Sequence, residues 1–212
     1  ECAVLGMNSI QRLSSLIRQL PGVGPKAADR MAWWLLKQPK AIASELSTSL
    51  NQLHDGVAVC SQCRRYSDHQ RTTQSTLCEI CQNPQRDQGI ICVVGESNDT
   101  SIIETTHNFS GVYHVLGGYL DPLEGVTASD IAIPELIERV RSQRTPPKEL
   151  ILAFNADLRG ETTALYIRNA LSKERAEGLK LTALARGLPS SALIEYADEL
   201  TLSDALNGRR EL

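Results

Sequence analysis

Four of the six cysteines in this 212-residue chain fall into two CxxC pairs, Cys60-Ser-Gln-Cys63 and Cys78-Glu-Ile-Cys81, with fourteen residues between the pairs. A CxxC turn aims two sulfurs at one centre, and two such turns supply the tetrahedral thiolate set that Zn²⁺ prefers. Four protein ligands leave no open position for water or substrate, so the expected ion is one structural Zn²⁺ per chain. A disulfide pair or a redox CxxC would use the same residues. Disulfides need an oxidising compartment, and nothing like a secretory signal precedes the pairs. A thioredoxin-type motif is single and opens a helix after a strand. Zinc is therefore the reading adopted. His69, in the spacer, is a conceivable substitute ligand, but the two pairs already supply four, and it is expected to face solvent. Cys92 lies in the apolar run Ile90-Ile91-Cys92-Val93-Val94 and is expected in the core. Cys2 belongs to a leader, Glu1 to Gly6, that reads as upstream sequence without a role.

The string Leu20-Pro21-Gly22-Val23-Gly24-Pro25-Lys26 sits between two helical patterns and forms a helix-hairpin-helix signature. Gly22 and Gly24 permit a tight turn and close backbone approach. Such a turn presents main-chain N–H groups at a helix start, where hydrogen bonding and the helix dipole both attract phosphate. Lys26 and Arg30 are one helical turn apart on one face and can add two phosphate contacts. These contacts position DNA without reading its sequence. A hairpin used only for packing or dimerisation is the competing use. Trp33 and Trp34 are adjacent and point in different directions. One is expected in the core and the other at a subunit interface.

Glu96, Asp99, Asp157 and Glu161 lie near two expected strand ends. Four carboxylates so placed could hold Mg²⁺, but they also suit loops and helix starts, where Asp99 and Glu161 would favour the dipole. Arg159 lies among them and favours the second use. No Mg²⁺ and no catalytic residue are expected. No tyrosine stands out as a nucleophile. His54, His107 and His114 have no neighbour in sequence that suggests a triad, and His114 reads as a core residue. Gly117-Gly118 lacks the lysine and hydroxyl residue of a phosphate-binding loop.

These residues need elements to position them. Leu13, Leu16, Ile17 and Leu20 recur at helical spacing and stop at Pro21-Gly22. A second helix starts at Pro25, with Ala28, Met31, Leu35 and Trp34 on its apolar side. A third runs from about Ile42 to Leu53. From Gly89 the texture changes. Ile90–Val94, Val112–Leu116, Leu150–Phe154 and Leu179–Ala185 read as strands. Helical patterns at about Asp99–Thr106, Pro134–Arg141 and Glu161–Leu171 separate them. Alternation of this kind gives a mainly parallel sheet covered on both faces, with binding residues at the strands' carboxyl ends. Arg144-Thr145-Pro146-Pro147 reads as a turn.

Hydrophobic residues make up 42% of the chain and aromatics 4%, so the core is aliphatic. No apolar run reaches membrane-spanning length. The net charge of −3 is unevenly spread. Residues 1–40 carry six Lys/Arg against two acids, and residues 89–212 carry twelve against eighteen. A basic head on an acidic body can bind phosphate at one end and another partner at the other.

The order of hairpin, four-cysteine knuckle and small α/β domain resembles the bacterial recombination mediator family RecR over about Met7 to Arg210. LPGVGPKAADRMAWWLL, CEICQNPQRDQGIICVV, YHVLGGYLDPLEGV, IPEL and ARGLPSSALIEYADELTLSDAL carry the resemblance. It implies a multi-part α/β protein: a helix-hairpin-helix region at 7–56, a zinc finger at 57–88, a Toprim domain at 89–186 and an oligomerisation tail at 187–212. It implies a non-enzymatic DNA-binding mediator that helps load recombinase on gapped or single-stranded DNA. The mediator would be a cytoplasmic, nucleoid-associated homo-oligomer, dimer or tetrameric ring, working with RecO-like and RecF-like proteins and not with a membrane. Gly22, Gly24, Lys26, Arg30, Arg64 and Arg65 would then meet DNA. The Toprim acids Glu96, Asp99, Asp157 and Glu161 would meet protein partners, and the segment around Leu193-Ile194-Glu195-Tyr196 would join subunits. Toprim enzymes place a glutamate straight after the first strand and an acidic cluster at a later strand end. Here Gly95 and Arg159 replace acids, Ala156 replaces a proline, and the cysteine spacer is longer than usual. A metal-dependent Toprim nuclease or topoisomerase, and a ring scaffold with a different protein partner, are the alternatives.

Overall fold

The computed structural model describes residues 8–68, 76–142 and 146–209. The leader, His69, and Arg144 and Thr145 of the expected turn lie outside the described residues. The chain divides into two compact units, residues 1–57 and 58–212.

The first unit holds α1 (Ser9–Ile17), α2 (Pro25–Lys37) and α3 (Lys40–Gly56). Asn8 and Gln11 close α1 with a reciprocal capping box, which satisfies two otherwise unpaired amides. Ala28 and Ala32 are the buried residues of α2, and small side chains there let α1 and α2 approach closely. Ser14 of α1 is buried and donates to the Asp29 carboxylate of α2 at 2.5 Å. Two expectations change here. Met31 is exposed, and so are both tryptophans, at 52% and 54%, so neither fills the core of its own chain. The buried stripe of α2 follows Ala28, Ala32 and the half-buried Leu35 instead.

The second unit is organised by its sheet. β1 (Val57–Val59) and β2 (Tyr66–Asp68) pair as a small ribbon, and α4 (Glu79–Gln82) carries the second CxxC. Then follow β3 (Asp87–Val94), α5 (Ser97–Glu104), β4 (Gly111–Val115), α6 (Ile133–Ser142), β5 (Glu149–Ala153), α7 (Leu158–Ala170), α8 (Ser172–Ala176) and β6 (Lys180–Ala183). A short 3₁₀ turn (Ile194–Tyr196) and α9 (Glu199–Asn207) end the described chain. The sheet order is β4-β3-β5-β6 with every pair parallel. β3 begins three residues before the apolar run, and its register with β4 shifts between Asp87 and Ile91, so the boundary drawn at 88/89 runs through it.

Side chains alternate across β3, and both faces are covered. Ile91 and Val93 join α6 and α7 in one core, with Ile133, Leu136, Val140 and Ile167. Cys92 and Val94 face the other way, into a second core with Tyr113, Val115, Ile80 and the four knuckle cysteines. The knuckle thus covers one face of the sheet beside Ile103 of α5 and Phe109, and two-sided burial explains the unbroken apolar run in β3. Tyr113 reaches Glu104, donating to its carboxylate at 2.6 Å, and Arg86 pairs with the same carboxylate.

Candidate metal centre and nucleic-acid interface

Cys60 directly follows β1, Cys63 closes a tight turn, Cys78 is the N-cap of α4 and Cys81 lies within it. The four sulfurs lie within 4.8 Å of one another, and all four residues are buried. Cys63 Sγ and Cys78 Sγ are 3.5 Å apart. That is far beyond a disulfide bond of about 2.05 Å, and all four are free thiols. A tetrahedral site with metal–sulfur bonds of about 2.3 Å needs sulfurs about 3.8 Å apart, so the observed spacing fits. The Cys78 amide donates to Cys60 Sγ at 3.3 Å, a bond that favours a thiolate. Four buried sulfurs this close cannot all ionise without a cation between them, and a divalent cation removes that conflict. The donor set therefore fits a structural metal, and the four protein ligands leave it no position for a reacting molecule.

Arg64, directly after Cys63, has a left-handed backbone (φ 61°) and pairs with Glu135 at 3.4 Å. Left-handed geometry costs a residue with a Cβ about 1–2 kcal/mol. Glycine would escape that cost but would lose about 0.5–1 kcal/mol through its freer unfolded chain, and the half-exposed ion pair is worth about 0–1 kcal/mol. Arg64→Gly is therefore expected to hold stability within about 1 kcal/mol of wild type, whereas the β-branched Arg64→Val loses about 2 kcal/mol or more. Urea unfolding of the zinc-loaded protein checks both values.

The hairpin turn has the form that the sequence suggests. Gly22 is left-handed (φ 76°), and Gly24 caps α2 with no side-chain hydrogen bond. A Cβ at either position would meet nothing within 4 Å, so the chain's own packing does not demand these glycines. The start of α2 is open and flanked by Lys26 and Arg30, both exposed and without an ion pair among the described residues. By contrast, Arg64 and Arg65 are engaged. Arg65 is mostly buried and bound to Glu79.

The four acids at the strand ends do not gather into a group placed to share a cation, although the charges of Asp99, Asp157 and Glu96 all bear on Tyr119. Glu96 and Asp99 form a capping box on α5. Asp157 caps α7, accepting from the Gly160 amide at 2.8 Å. Glu161 accepts from Arg186 at 3.0 Å, and Arg159 lies 3.7 Å from Asp121. Among the described residues, the cysteines are the one group placed to share a cation. Chain order puts the crevice of this sheet between the ends of β3 and β5, where the connections part to opposite sides. Tyr119 fills it. A Cβ on Gly95 would fall 2.3 Å from the tyrosine ring. That ring packs edge-on to Phe154 at 5.6 Å. Sequence reasoning singled out Gly95 but passed over Tyr119, because nothing in local spacing marks a loop aromatic as a plug.

Similarity to known proteins follows the same layout. The family model for the RecR helix-hairpin-helix matches residues 10–54, that for the Toprim domain residues 89–185, and that for the RecR C-terminal region residues 187–210. The "Recombination protein RecR" of Roseiflexus sp. (strain RS-1) is 44% identical over 201 residues, 95% of this chain and 93% of that protein. That of Cyanothece sp. (strain PCC 7425) is 42% identical over 204 residues, 96% of each chain. That of Anaeromyxobacter dehalogenans is 43% identical over 203 residues, 96% of this chain and 97% of that protein. With three family models in order along one chain and relatives matched nearly end to end, the chain belongs to the RecR family of recombination proteins.

Proposed function

We propose that this chain is a non-enzymatic, zinc-stabilised DNA-binding mediator of recombinational repair, which helps load recombinase on gapped or single-stranded DNA. The observation that carries the reading is the open start of α2, where Gly22 and Gly24 leave the backbone bare beside the unpaired Lys26 and Arg30. Phosphate held there gains amide hydrogen bonds, the helix dipole and two cations together. Arg64 and Arg65 contribute less, because a phosphate must displace Glu135 or Glu79 to reach them. The exposed Trp33, Trp34 and Leu36 of α2, with Leu193, Ile194 and Tyr196 of the tail, supply apolar surface for assembly into a dimer or a tetrameric ring. A ring accounts for DNA binding by an acidic protein, since the basic units can line the hole and the acidic bodies face outward. Glu96, Asp99, Asp157 and Glu161 then mark the acidic face offered to RecO-like and RecF-like partners. No helix among the described residues is long and apolar enough to cross a membrane, in keeping with a cytoplasmic protein at the nucleoid.

A salt titration of binding to gapped and single-stranded DNA tests the reading. The double change Lys26→Ala, Arg30→Ala is expected to weaken binding at least tenfold. It should also flatten the slope of log affinity against log salt by about 1.4 on single strands and about 1.8 on duplex. Circular dichroism should be unchanged. An undiminished slope removes the hairpin from the DNA interface. Strand cleavage in Mg²⁺, read on a denaturing gel, would favour the nuclease alternative.

A further inference from the structure

Arg139 of α6 is a charged residue that the metal and DNA readings leave unused, and its surroundings are unusual. It is 8% exposed. Its Nη1 donates to the Tyr113 carbonyl at 2.7 Å and more weakly to the Gln62 carbonyl at 3.4 Å. Gln62 lies between Cys60 and Cys63. Nε and Nη2 are buried and have no hydrogen-bond partner among the described residues. Tyr113 and Val115 belong to the sheet's edge strand β4, and the Val115 amide donates to the Cys63 carbonyl at 2.8 Å. Arg139 therefore reaches from the α6 face of the sheet past its edge to the knuckle. Burial works against its charge, and the four cysteines work in its favour.

An unpaired guanidinium in a protein interior is costly, because buried charge is tolerated only where it is compensated. Four thiolates around Zn²⁺ carry a net charge of −2. That dianion, sunk into the same core, has the same difficulty with the opposite sign. We infer that Arg139 is the positioning residue of the zinc site: its guanidinium offsets the charge of the tetrathiolate and clips the knuckle to the edge of the sheet. This rests on the zinc reading. Groups beyond the ligands set how tightly a metal is held, typically by 10–100-fold in affinity. Arg64 and Arg65, which follow Cys63, are the other cations beside the cysteines, but Arg64 is paired with Glu135 and Arg65 with Glu79. His114, also buried nearby, is held neutral by burial at a pKa of about 4 and adds no charge.

The test compares full-length wild type, Arg139→Gln and Arg139→Lys by competition for Zn²⁺ with a chromogenic chelator. It also compares their thermal melting with zinc bound and after chelation. Arg139→Gln should bind zinc 10–100-fold more weakly, and Arg139→Lys should recover most of that loss. A merely structural role lowers both melting midpoints alike. The proposed role lowers the midpoint of the zinc-loaded form and leaves the chelated form unchanged or raised, because the chelated form sheds an uncompensated charge. Equal zinc affinity, or equal losses in both forms, overturns the inference while leaving the zinc reading intact. A wild type that takes up no zinc overturns both. Should Arg139→Gln fail to fold, Co²⁺-loaded Arg139→Met, which keeps an unbranched side chain but removes the charge, decides. Its thiolate charge-transfer band shifts from the wild-type position if the guanidinium acts on the sulfurs, and an unmoved band overturns the inference.

Discussion

Stripping the zinc proposed at the cysteine knuckle, or replacing Cys63 by Ser, is expected to lower the melting midpoint of the whole second unit by about 8–16 °C and to leave the first unit's transition in place. The size follows from where the knuckle sits. Structural zinc contributes about 10–16 kcal/mol to small metal-folded domains. Even a third of that, about 4 kcal/mol, is comparable to the net stability of a domain. For a unit of this size each kcal/mol moves the midpoint by about 2–4 °C. The loss spreads beyond the cysteines because they belong to the same buried cluster as Cys92, Val94, Tyr113 and Val115. When the knuckle melts, one face of β3 and β4 is left bare and the Cys63 carbonyl no longer holds the Val115 amide. Hydrogen exchange provides the decisive detail. The Val115 amide should lose protection on chelation together with residues 58–68 and 76–82. Retained protection in β4 would show that the knuckle is an appendage and not a layer of the fold.

The second large effect is at Gly95. Adding one methyl group there puts a carbon 2.3–2.5 Å from two ring carbons and the hydroxyl oxygen of Tyr119. The ring has no cheap escape on the Phe154 side, because Phe154 packs edge-on against it. Gly95→Ala is expected to cost about 2–4 kcal/mol, the range for forced overpacking and its relaxation. Tyr119→Ala alone loses a half-buried aromatic and should cost a similar amount. The double variant should be close to Tyr119→Ala alone, because the clash has gone. Chemical denaturation of all four proteins then gives a coupling energy of about 2 kcal/mol or more. Additive losses would mean that the ring swings aside freely and that the crevice is not plugged.

Much of this architecture was legible in the residues. CxxC spacing located the cysteine cluster, and its sulfurs do converge. Strand-length apolar runs separated by helical patterns gave the parallel α/β sheet, with element ends displaced by a few residues where polar positions such as Asp87 and Gln88 extend a strand. What escaped the sequence shares a cause: it depends on contacts between segments distant in the chain. Periodicity says that β3 is covered on both faces but not that a cysteine knuckle covers one of them. Arg139 lies in a helical pattern with Arg141 and Glu138 and reads as an ordinary surface charge, yet the nearby sheet edge buries it. Trp33 and Trp34 suggested at least one core residue, but the small Ala28 and Ala32 form the close contact and both indoles are left outside. The strand-end acids were legible as helix caps, and Asp99 and Asp157 do serve helix ends.

The packing of Tyr119 on Gly95 also constrains how such a protein can change over generations. A carboxylate at position 95 cannot be tested by selection while the tyrosine is in place, because the intermediate carrying both is destabilised before it gains any chemistry. Position 119 has to shrink first, and that step alone empties the crevice with no return. Any route to a carboxylate at position 95 therefore passes through a less stable protein.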